Sequence, residues 1–532
     1  MHITKAKITN YRTLKNCVID FNDNTNIIVG DNEAGKSTLL ECLSLALTGQ
    51  LNGRQVGNEL HPFLFSLSAI TEYLDALLKG TPIAPPAITI ELFFANVPAL
   101  AELRGDDNSD KSDVPGITFR IEFDDTYSAE YVDYIATPAD VRTIPIEYYH
   151  AVCHSFARKS ITSRSIPISP VMVDASRITS ISGANRYVSS LVKEALPTKE
   201  QVQLSLSYRK MQDAFMNDDG VKKINDELAA RGGVISDKIM SMSLDSTSRS
   251  GWETGIMPNL DCVPISLVGK GEQNTVKIKL ALEKSSDAHI FLIEEPENHL
   301  SHSRLHQLID NIVAKAGARQ VLITTHSSFV LNKLGINNVL LFKDGKPLRL
   351  NELTPDTYDY FKKLPGHDTL RLILSKRSIL VEGPSDELVV QKAFHAEHGV
   401  SPLERGVDVI SVKSLAFKRF LEIAKLLKLS VNVVTDNDGS IAALKEKYRD
   451  YEGLENISIH YDDDEGYKTL EPQMLKANDR DKLNKILGKR FDNDDELIKY
   501  MTASNNKTDV ALAIFETSEP IIFPGYINDA VK

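Results

Sequence analysis

The chain has 532 residues and a mass of 59.1 kDa, a length that predicts about three or four structural units. Hydrophobic residues make up 42% and charged residues 25% of the sequence, which excludes wholesale disorder. The 73 acidic residues outnumber the 61 basic ones, giving a net charge of -12. This balance argues against a chain-wide electrostatic grip on nucleic acid or on an anionic membrane. It leaves open a local basic groove, or an acidic site that meets phosphate through metal ions.

The cysteines and the N-terminus indicate the compartment. Cys17, Cys42, Cys153 and Cys262 lie far apart and form no C-x-x-C pair, so neither a disulfide framework nor a structural zinc site is expected. The N-terminus has no long apolar segment of the signal-peptide type, and no run of about 18 apolar residues predicts a membrane span. We therefore expect a soluble, cytoplasmic protein.

The first part of the chain predicts short strands and two helices. The alternating or apolar runs that predict strands are ITKAKITNY, CVIDF, NIIVG, AITIELFF, GITFRIEF and TIPIEYY. STLLECLSLALTG predicts a helix that ends at Gly49, and a second helix is predicted from Leu64 to Leu78, before a cluster of Gly and Pro. Residues 106–115 predict a solvated polar loop.

The rest of the chain predicts a helical insert and two α/β series. The pattern turns helical from about Ser189 to Met242, which predicts an inserted subdomain too short for a long coiled-coil arm. HIFLI and QVLITT, with a Leu- and Ile-rich helix between them, predict a β-α-β unit of a parallel sheet. A hairpin with its turn at Asp344-Gly345 follows. Near Ser375 a new β-α-β series begins, with the strands SILVEG, VDVISV and VNVVTDND.

Between the predicted strand NIIVG and the next helix lies GDNEAGKS, which fits the P-loop pattern G-x-x-x-x-G-K-[ST]. Gly30 and Gly35 let backbone N–H groups curl around a phosphate, Lys36 neutralises its oxygens, and the Ser37 hydroxyl ligates Mg²⁺. We interpret this segment as a nucleotide phosphate site. The alternative is a Gly-rich turn without a ligand.

Three further segments add polar groups to this site. The apolar strand IFLI ends in Glu294, which suits the water shell of Mg²⁺, and Glu295, which suits polarisation of an attacking water. The alternative is a solvated strand end. His326 ends the next strand and is predicted to hydrogen-bond the γ-phosphate, although a lone histidine there is more often structural. Upstream, Gly269 and Gly271 open a helix whose N-terminus suits an anion.

The order of these four motifs resembles the ABC ATPase class, and ITNYRTL together with Asn32 most resembles its SMC/RecF/OLD branch. The resemblance implies that Arg12 approaches the nucleotide and that Asn32 and Thr38 belong to the nucleotide site. It also implies that the glycine loop completes the ATP site of a partner subunit in a head-to-tail dimer. Two positions depart from the pattern, Glu294 where Asp is usual and Gly269 where Ser is frequent. We therefore expect ATP binding but not rapid hydrolysis.

A second set of acidic residues follows the strands of the C-terminal α/β series. Glu382 lies at a strand-to-helix turn, Asp386 lies in the first helical turn, and Asp436 and Asp438 follow a later strand in a D-x-D-G sequence. The carboxyl ends of parallel strands meet at one crevice, so we expect these acids to converge. Their oxygens suit Mg²⁺ or Mn²⁺ rather than zinc. The alternative is a set of capping and turn acids that bind no metal.

The order and spacing of these acids resemble the TOPRIM domain of topoisomerases, primases and OLD-family nucleases. No domain presenting a nucleophilic tyrosine and no zinc module is evident, which leaves hydrolytic phosphodiester cleavage between two metal ions. Glu471 and Lys507 resemble OLD-family positions, an acid that completes the second metal site and a lysine that stabilises charge near the scissile phosphate. The alternatives are a structural acid and a surface lysine. The turn at 411–414 lacks the glycine common in TOPRIM domains, and residues 462–465 predict a solvated loop rather than a metal site.

An ABC-type ATPase followed by a TOPRIM domain is the architecture of OLD-family nucleases, which the whole chain resembles. The predicted fold class is α/β, with ATPase parts at 1–188 and 243–372, a helical dimerisation insert at 189–242 and a Rossmann-like TOPRIM domain at 373–532. The resemblance implies ATP, two Mg²⁺ or Mn²⁺ ions at the TOPRIM site, a DNA substrate, a homodimer or higher oligomer, and ATP-regulated DNA cleavage in anti-phage defence. Members act alone, beside a helicase as in Gabija, or with a retron reverse transcriptase and its msDNA. Two alternatives stay open, a non-nucleolytic DNA-binding sensor or scaffold and an SMC/RecF-like repair ATPase.

Overall fold

The structure is a computed structural model. It describes residues 1–31, 33–81, 83–174, 196–230, 240–244, 252, 258–284, 288–343, 346–349, 353–363, 367–412 and 417–532. The predicted P-loop residue Asn32, the predicted turn at Asp344-Gly345 and parts of the predicted insert lie outside these residues. No helix in the described part of the chain is long and apolar enough to cross a membrane.

An antiparallel sheet forms the N-terminal part. Its strands are β1 (Ile3–Tyr11), β2 (Leu14–Asp20), β6 (Ile88–Phe94), β7 (Arg104–Gly105), β8 (Val114–Phe123) and β9 (Tyr149–Ser155), in the order β2-β1-β6-β8-β7 with β9 also paired to β8. A small hairpin joins β4 (Gln50–Leu51) to β5 (Arg54–Gln55). Buried and exposed residues alternate along β2, as expected where one face of a sheet is solvated.

One prediction for this part of the chain needs correction. TIPIEYY is not a strand, because Pro145 precedes a 3₁₀ helix at Ile146–Tyr148 and pairing with β8 begins only at Tyr149. The predicted polar loop at 106–115 is largely exposed, although its last two residues already belong to β8. Asn108 is buried, and Ser109 donates its backbone N–H to the Glu91 carboxylate at 2.9 Å, so the loop is fastened to the sheet.

A second, mostly parallel sheet carries the P-loop. Its order is β10 (Pro170–Asp174), β13 (Ile290–Glu294), β14 (Gln320–Thr324), β3 (Thr25–Gly30), β15 (Val339–Lys343) and β16 (Lys346–Arg349). Neighbouring strands are parallel except for the β15–β16 hairpin. The helices around it are α1 (Lys36–Thr48), α6 (Lys270–Lys284), α7 (His302–Ala316) and α8 (Ser328–Leu334). The predicted β-α-β unit is confirmed as β13-α7-β14.

The remaining elements of this half lie at its surface. They are α2 (Leu67–Leu78), α3 (Ser128–Tyr134), α4 (Thr198–Met216), α5 (Asp219–Ala230) and the short pair β11 (Asn259–Leu260) and β12 (Val263–Pro264). The helical pattern predicted for the insert is confirmed over α4 and α5. Neither of these two helices buries a described side chain.

The C-terminal half is built around a four-stranded parallel sheet in the order β18 (Val407–Ser411), β17 (Arg377–Val381), β19 (Ser430–Val434) and β20 (Ile457–His460). Two helices precede it, α9 (Pro355–Lys363) and α10 (His367–Leu374). The others are α11 (Pro384–His398), α12 (Phe417–Leu426), α13 (Ile441–Tyr448), α14 (Leu470–Ala477), α15 (Arg480–Leu487), α16 (Asp494–Thr502), α17 (Lys507–Glu516) and α18 (Gly525–Val531). The two sequence-predicted α/β series are thus two separate sheets.

One hydrophobic cluster joins the two parallel sheets. It contains Ile27 and Val29 of β3, Leu372 of α10, and Leu380 and Ile410 of the four-stranded sheet. The strand that leads into the P-loop therefore shares its core with the C-terminal sheet. Because protein interiors are close-packed, a shift of this strand would be transmitted to that sheet.

Candidate functional site

The P-loop connects β3 to α1, and its two glycines are required by contacts and conformation. A Cβ atom at Gly30 would lie 2.4 Å from the carbonyl oxygen of Phe342. Gly35 has a φ of +101°, and a Cβ there would lie 2.9 Å from Thr13 Oγ1. A side chain at either position would therefore clash or strain the backbone. The predicted strand, loop and helix are confirmed.

Lys36 is folded back onto this loop. Its Nζ donates hydrogen bonds to the carbonyl oxygens of Gly30 at 2.9 Å and Asp31 at 2.8 Å. Burial lowers the pKa of Lys36, against the opposing charges of nearby acids, of which Glu295 is the strongest. Ser37 is exposed and Thr38 is partly exposed at the mouth of the loop. The ammonium group is thus held by carbonyl oxygens that phosphate oxygens could replace.

The predicted acids at the end of β13 lie beside this lysine. Glu294 is buried, and its charge acts on the pKa of Lys36 together with that of Glu295. Glu295 has a φ of +41°, and its Oε1 lies 3.5 Å from His326 Nε2. Its Oε2 accepts a hydrogen bond from Asn298 Nδ2 at 2.8 Å. The structure therefore brings Lys36, both glutamates and His326 together.

Sequence reasoning missed Glu297, which orders the residues after β14. Its Oε1 accepts hydrogen bonds from Thr325 Oγ1 and from the His326 backbone N–H, both at 2.7 Å. Burial raises the pKa of Glu297. Burial, and then the charge of Lys36, lower the pKa of His326, so its imidazole is neutral at pH 7. In the sequence, Glu297 could have been noticed as the third acidic residue of the segment EEPEN, which begins at Glu294.

Arg12 and the glycine loop lie in different surroundings. Arg12 Nη2 is 3.0 Å from the buried Glu41 Oε1, which also accepts a hydrogen bond from Tyr11 at 2.6 Å. A Cβ at Gly271 would lie 2.3 Å from a backbone oxygen of the segment after β13. A Cβ at Gly269 would meet no described atom within 4 Å. Close packing thus accounts for Gly271, and a role for either glycine in a partner's ATP site stays a prediction.

The second candidate site lies at the carboxyl ends of β17 and β19. Glu382 follows β17, and its Oε1 accepts hydrogen bonds from Thr435 Oγ1 at 2.7 Å and from the Asp436 N–H at 3.1 Å. Asp386 lies in the first turn of α11, where its Oδ2 accepts a hydrogen bond from the Gly383 N–H at 3.0 Å. Glu382 therefore bridges the ends of the two strands.

Negative charge accumulates in this crevice. Burial first, and then the charges of Glu382 and Glu471, raise the pKa of Asp386 to about 7. Burial, Asp386 and Glu382 raise the pKa of Asp436 to about 8. Asp438 is exposed beside them, with a φ of +49°. These carboxylates repel one another because they are close together and partly shielded from water, and a bound divalent cation would offset that repulsion.

The predicted pair of Glu471 and Lys507 also reaches this crevice. Lys507 begins α17, and its Nζ lies 3.0 Å from Oε1 of the buried Glu471 on α14. Burial lowers the pKa of Lys507, but the carboxylates of Glu471, Asp436 and Asp386 outweigh it, so the pKa is raised. Within the described residues, no three acidic, histidine or cysteine side chains are already arranged to hold one metal ion. The acids thus interact electrostatically while keeping protein partners.

Sequence reasoning also missed Asn437, the residue between the two aspartates. Its buried Nδ2 donates hydrogen bonds to the carbonyl oxygens of Asp462 at 2.8 Å and Asp464 at 3.0 Å, and its Oδ1 accepts one from the Gly439 N–H at 2.9 Å. Lys476 pairs with the Asp464 carboxylate at 2.9 Å. In the predicted loop at 462–465, the side chains of residues 463–465 are exposed, and the loop's backbone is tied to the D-x-D-G turn. The prediction about the turn at 411–414 falls partly outside the described residues.

Three family models match the chain. A model described as an AAA domain matches residues 5–230, and one described as an AAA domain, putative AbiEii toxin, Type IV TA system, matches residues 153–332. A model described as Overcoming lysogenization defect protein-like, TOPRIM domain, matches residues 373–438. No curated protein matches the sequence significantly.

Several solved structures resemble the chain at low identity. The SMC head domain from Thermotoga maritima is 12% identical over 65% of this chain and 97% of its own, with a TM-score of 0.30. The recombination mediator protein RecF with ATP is 12% identical over 66% of this chain and 99% of its own, with a TM-score of 0.34. The C-terminal region of the Xanthomonas campestris pv. campestris OLD protein is 18% identical over 30% and 92%, with a TM-score of 0.25. The family matches confirm the predicted pairing, in which an AAA-type ATPase domain precedes an OLD-like TOPRIM domain.

Proposed function

We propose that the protein is an ATP-binding, divalent-metal-dependent DNA endonuclease that nicks or cleaves DNA at the TOPRIM crevice. The observation that carries the proposal is the clustering of Glu382, Asp386, Asp436 and the Glu471–Lys507 pair at the carboxyl ends of parallel strands. A phosphodiester is an anion, so an acidic crevice can accept it only when cations offset the charge. The TOPRIM match supports the same reaction class.

The donor chemistry of the crevice fits Mg²⁺ or Mn²⁺. Glu382, Asp386, Asp436 and Asp438 offer carboxylate oxygens, the ligands that these hard cations prefer, and Glu471 would complete a second position. When bound, the ions would supply an activated water and neutralise charge on the phosphate. Thr435 and the backbone N–H of Asp436 hold Glu382 in place.

Lys507 would contribute in a second way. Its raised pKa keeps it charged at neutral pH, and Glu471 fixes its ammonium group at the rim of the acidic cluster. A cation fixed at that point can stabilise the charge that develops on the phosphate oxygens during cleavage.

The ATPase domain would bind ATP through Gly30, Gly35, Lys36, Ser37 and Thr38, with Asn32 in the same loop. Glu294 would hold the water shell of the nucleotide's Mg²⁺, while Glu295 and the neutral His326 would orient the attacking water near the γ-phosphate. The hydrophobic cluster that joins β3 to the TOPRIM sheet supports regulation of cleavage by the ATP state. The departures at Glu294 and Gly269 favour slow hydrolysis.

Assembly and biological role complete the proposal. Val202, Leu206, Met211 and Phe215 of α4 are each more than half exposed, which favours burial of this helix in a homodimer or higher oligomer. In a head-to-tail dimer, Gly269 and Gly271 would face the partner's nucleotide. The domain pairing supports a role in anti-phage defence, alone, with a helicase, or with a retron reverse transcriptase and its msDNA.

Plasmid nicking tests the proposal. The wild-type protein should convert supercoiled plasmid to open-circle or linear DNA with Mg²⁺ or Mn²⁺ but not with EDTA, and added ATP should change the rate. Asp436→Ala should abolish cleavage. Asp463→Ala, an exposed acid in the adjoining loop, should keep it and serves as the matched control. Cleavage by Asp436→Ala at the wild-type rate would refute the proposed site.

A non-nucleolytic, ATP-dependent DNA-binding sensor is the second candidate. It is favoured by the finding that, in the described part of the chain, no three potential ligands are arranged around one metal position. Such a protein would shift plasmid DNA in a binding assay but leave it intact at every metal concentration tested.

A further inference from the structure

Lys468 lies across the D-x-D-G turn of the TOPRIM crevice. Its outer side-chain carbons pass beside Gly439, where a Cβ atom would lie 2.9 Å from Lys468 Cε, 3.2 Å from Cδ and 3.4 Å from Cγ. Nζ is bonded directly to Cε, so the ammonium group also lies beside this turn. Gly439 has a φ of +79° and directly follows Asp438, one of the proposed metal ligands. The glycine of the turn therefore leaves room for the lysine.

The backbone on both sides of Lys468 is fixed. The carbonyl oxygen of Tyr467 accepts a long hydrogen bond, 3.4 Å, from Nδ2 of Asn437 in the D-x-D-G turn. Thr469 is the N-cap residue of α14, and its hydroxyl donates to Glu471 Oε2 at 2.9 Å. The backbone of Lys468 is thus held between the turn and the acid of α14, while its side chain is exposed to solvent.

The ammonium group of Lys468 makes no ion pair with the described residues. No carboxylate oxygen among them lies within 4.0 Å of its Nζ, although the surrounding loop is acidic. The acids beside it in the chain have other partners, which are Lys476 for Asp464, the Ile441 N–H for Glu465 and Lys507 for Glu471. An exposed cation without an acidic partner is available to an anionic ligand.

The charge of the crevice calls for one further cation. When ionised, its carboxylates carry five negative charges, which belong to Glu382, Asp386, Asp436, Asp438 and Glu471. Two divalent ions together with Lys507 would only offset these charges, so the charge of a bound phosphodiester would stay unbalanced. An unbalanced charge is costly where water is partly excluded. Lys468 offers a cation at the edge of this crevice.

We propose that Lys468 binds a non-bridging oxygen of the DNA phosphate on the Asp438 side of the crevice. This inference rests on the proposed nuclease function and adds a residue that holds the substrate. Lys507 is fixed by its ion pair with Glu471, whereas Lys468 keeps an unpaired ammonium group on an exposed side chain. A lysine contact of this kind recognises backbone charge and carries no sequence preference.

Plasmid-nicking kinetics of the full chain, measured at salt concentrations from about 50 to 200 mM, test this contact. Lys468→Ala should raise KM for plasmid about 10-fold at the lowest salt, the usual loss for one charge-assisted hydrogen bond. Its kcat should stay within about twofold of the wild type, because a contact made equally before and during cleavage changes only KM.

DNA binding gives a second readout that does not depend on cleavage. In fluorescence anisotropy with a short DNA duplex and Ca²⁺ in place of Mg²⁺, Lys468→Ala should lower the slope of log Kd against log salt by about 0.9, the value for one phosphate contact. Lys468→Arg should keep the wild-type slope, because the contact needs only the charge. Lys468→Gln should behave like Lys468→Ala.

Lys425→Ala is the matched control. Lys425 is also exposed, but it lies in the last turn of α12, just before β19 begins. It is therefore near the amino end of the strand whose carboxyl end leads to Asp436, and its replacement should leave KM, kcat and the salt slope unchanged. Wild-type KM and salt slope in Lys468→Ala would overturn the phosphate contact. A lowered kcat with unchanged KM would also overturn it, as would loss of the stabilisation by magnesium, since that indicates a structural role.

Asp436→Ala separates this inference from the proposed function. If the wild type nicks plasmid and Asp436→Ala does not, wild-type behaviour of Lys468→Ala means that the phosphate contact fails alone. If the wild type nicks no plasmid with Mg²⁺ or Mn²⁺, the proposed function fails and the phosphate contact fails with it.

Discussion

Neutralising Asp436 should stabilise the metal-free protein and remove its response to magnesium. Burial and the neighbouring carboxylates raise the pKa of this residue from 3.8 to about 8. Between these two pH values, the folded protein keeps a proton on Asp436 that the unfolded chain has released. Folding stability contributed by such a group falls as pH rises from about 4 to about 8. Asp436→Asn carries no charge in either state and avoids this loss.

The size of the effect follows from the same numbers. A tenfold change in proton affinity corresponds to about 1.4 kcal/mol, so the rise in pKa sets an upper bound of about 6 kcal/mol at pH 8. Solvent reaches part of the Asp436 side chain and screens the repulsion. We therefore expect Asp436→Asn to gain about 1–3 kcal/mol at pH 8 and progressively less at lower pH.

Thermal melts at pH 5 and pH 8, in EDTA or in about 10 mM Mg²⁺, measure both parts of the prediction. In EDTA at pH 8, Asp436→Asn should melt a few degrees above the wild type. Magnesium should raise the melting temperature of the wild type but not that of the variant. Asp463→Asn should resemble the wild type throughout. A variant that melts below the wild type in EDTA would show that Asp436 has no excess repulsion to lose, and an undiminished magnesium response would exclude Asp436 as a ligand.

Three further changes test other parts of the structure. Arg371→Met should destabilise the protein by about 3–5 kcal/mol in chemical unfolding. The reason is that two guanidinium nitrogens of Arg371 donate to the two carboxylate oxygens of the nearly buried Asp408, at 2.9 and 2.6 Å. An unchanged denaturation midpoint would contradict this. Lys507→Ala should reduce the nicking rate about 100-fold while magnesium still raises the melting temperature, and loss of both would indicate a structural role. Gly30→Ala should abolish ATP binding in calorimetry, because its Cβ would lie 2.4 Å from a carbonyl oxygen of β15. A Cβ at Gly269 would meet no described atom within 4 Å, so the control Gly269→Ala should keep the wild-type melting temperature.

Local sequence signals were sufficient where one continuous apolar pattern defines an element. NIIVG, the P-loop and the following helix were predicted together, and β3 and α1 confirm them. The same logic failed at TIPIEYY, where the alternation is present but Pro145 cannot donate to a sheet ladder. The strand lies just downstream, because its pairing with β8 begins at Tyr149. That pairing is a tertiary preference which the local pattern does not contain.

The candidate site was predictable to the extent that topology dictates it. Glu382, Asp386 and Asp436 follow parallel strands, and the carboxyl ends of such strands converge. Asn437 could not be predicted, because its partners are backbone carbonyl oxygens of a loop that lies 25–27 residues downstream.

Arg371 connects the shared core to the proposed cleavage site. It leaves α10, whose Leu372 packs in the cluster with β3, and its guanidinium binds Asp408 of β18 and lies 3.6 Å from Glu387 Oε1. Glu387 directly follows Asp386. If nucleotide binding displaces β3, the residues packed against it must move as well, because the interior is close-packed. Among them is Leu372 of α10, and the neighbouring Arg371 would pass this movement to the first turn of α11. We therefore expect that disrupting Arg371 would weaken the effect of ATP on plasmid nicking more than it weakens nicking without ATP, because the acids would stay in place while their link to the P-loop strand is lost.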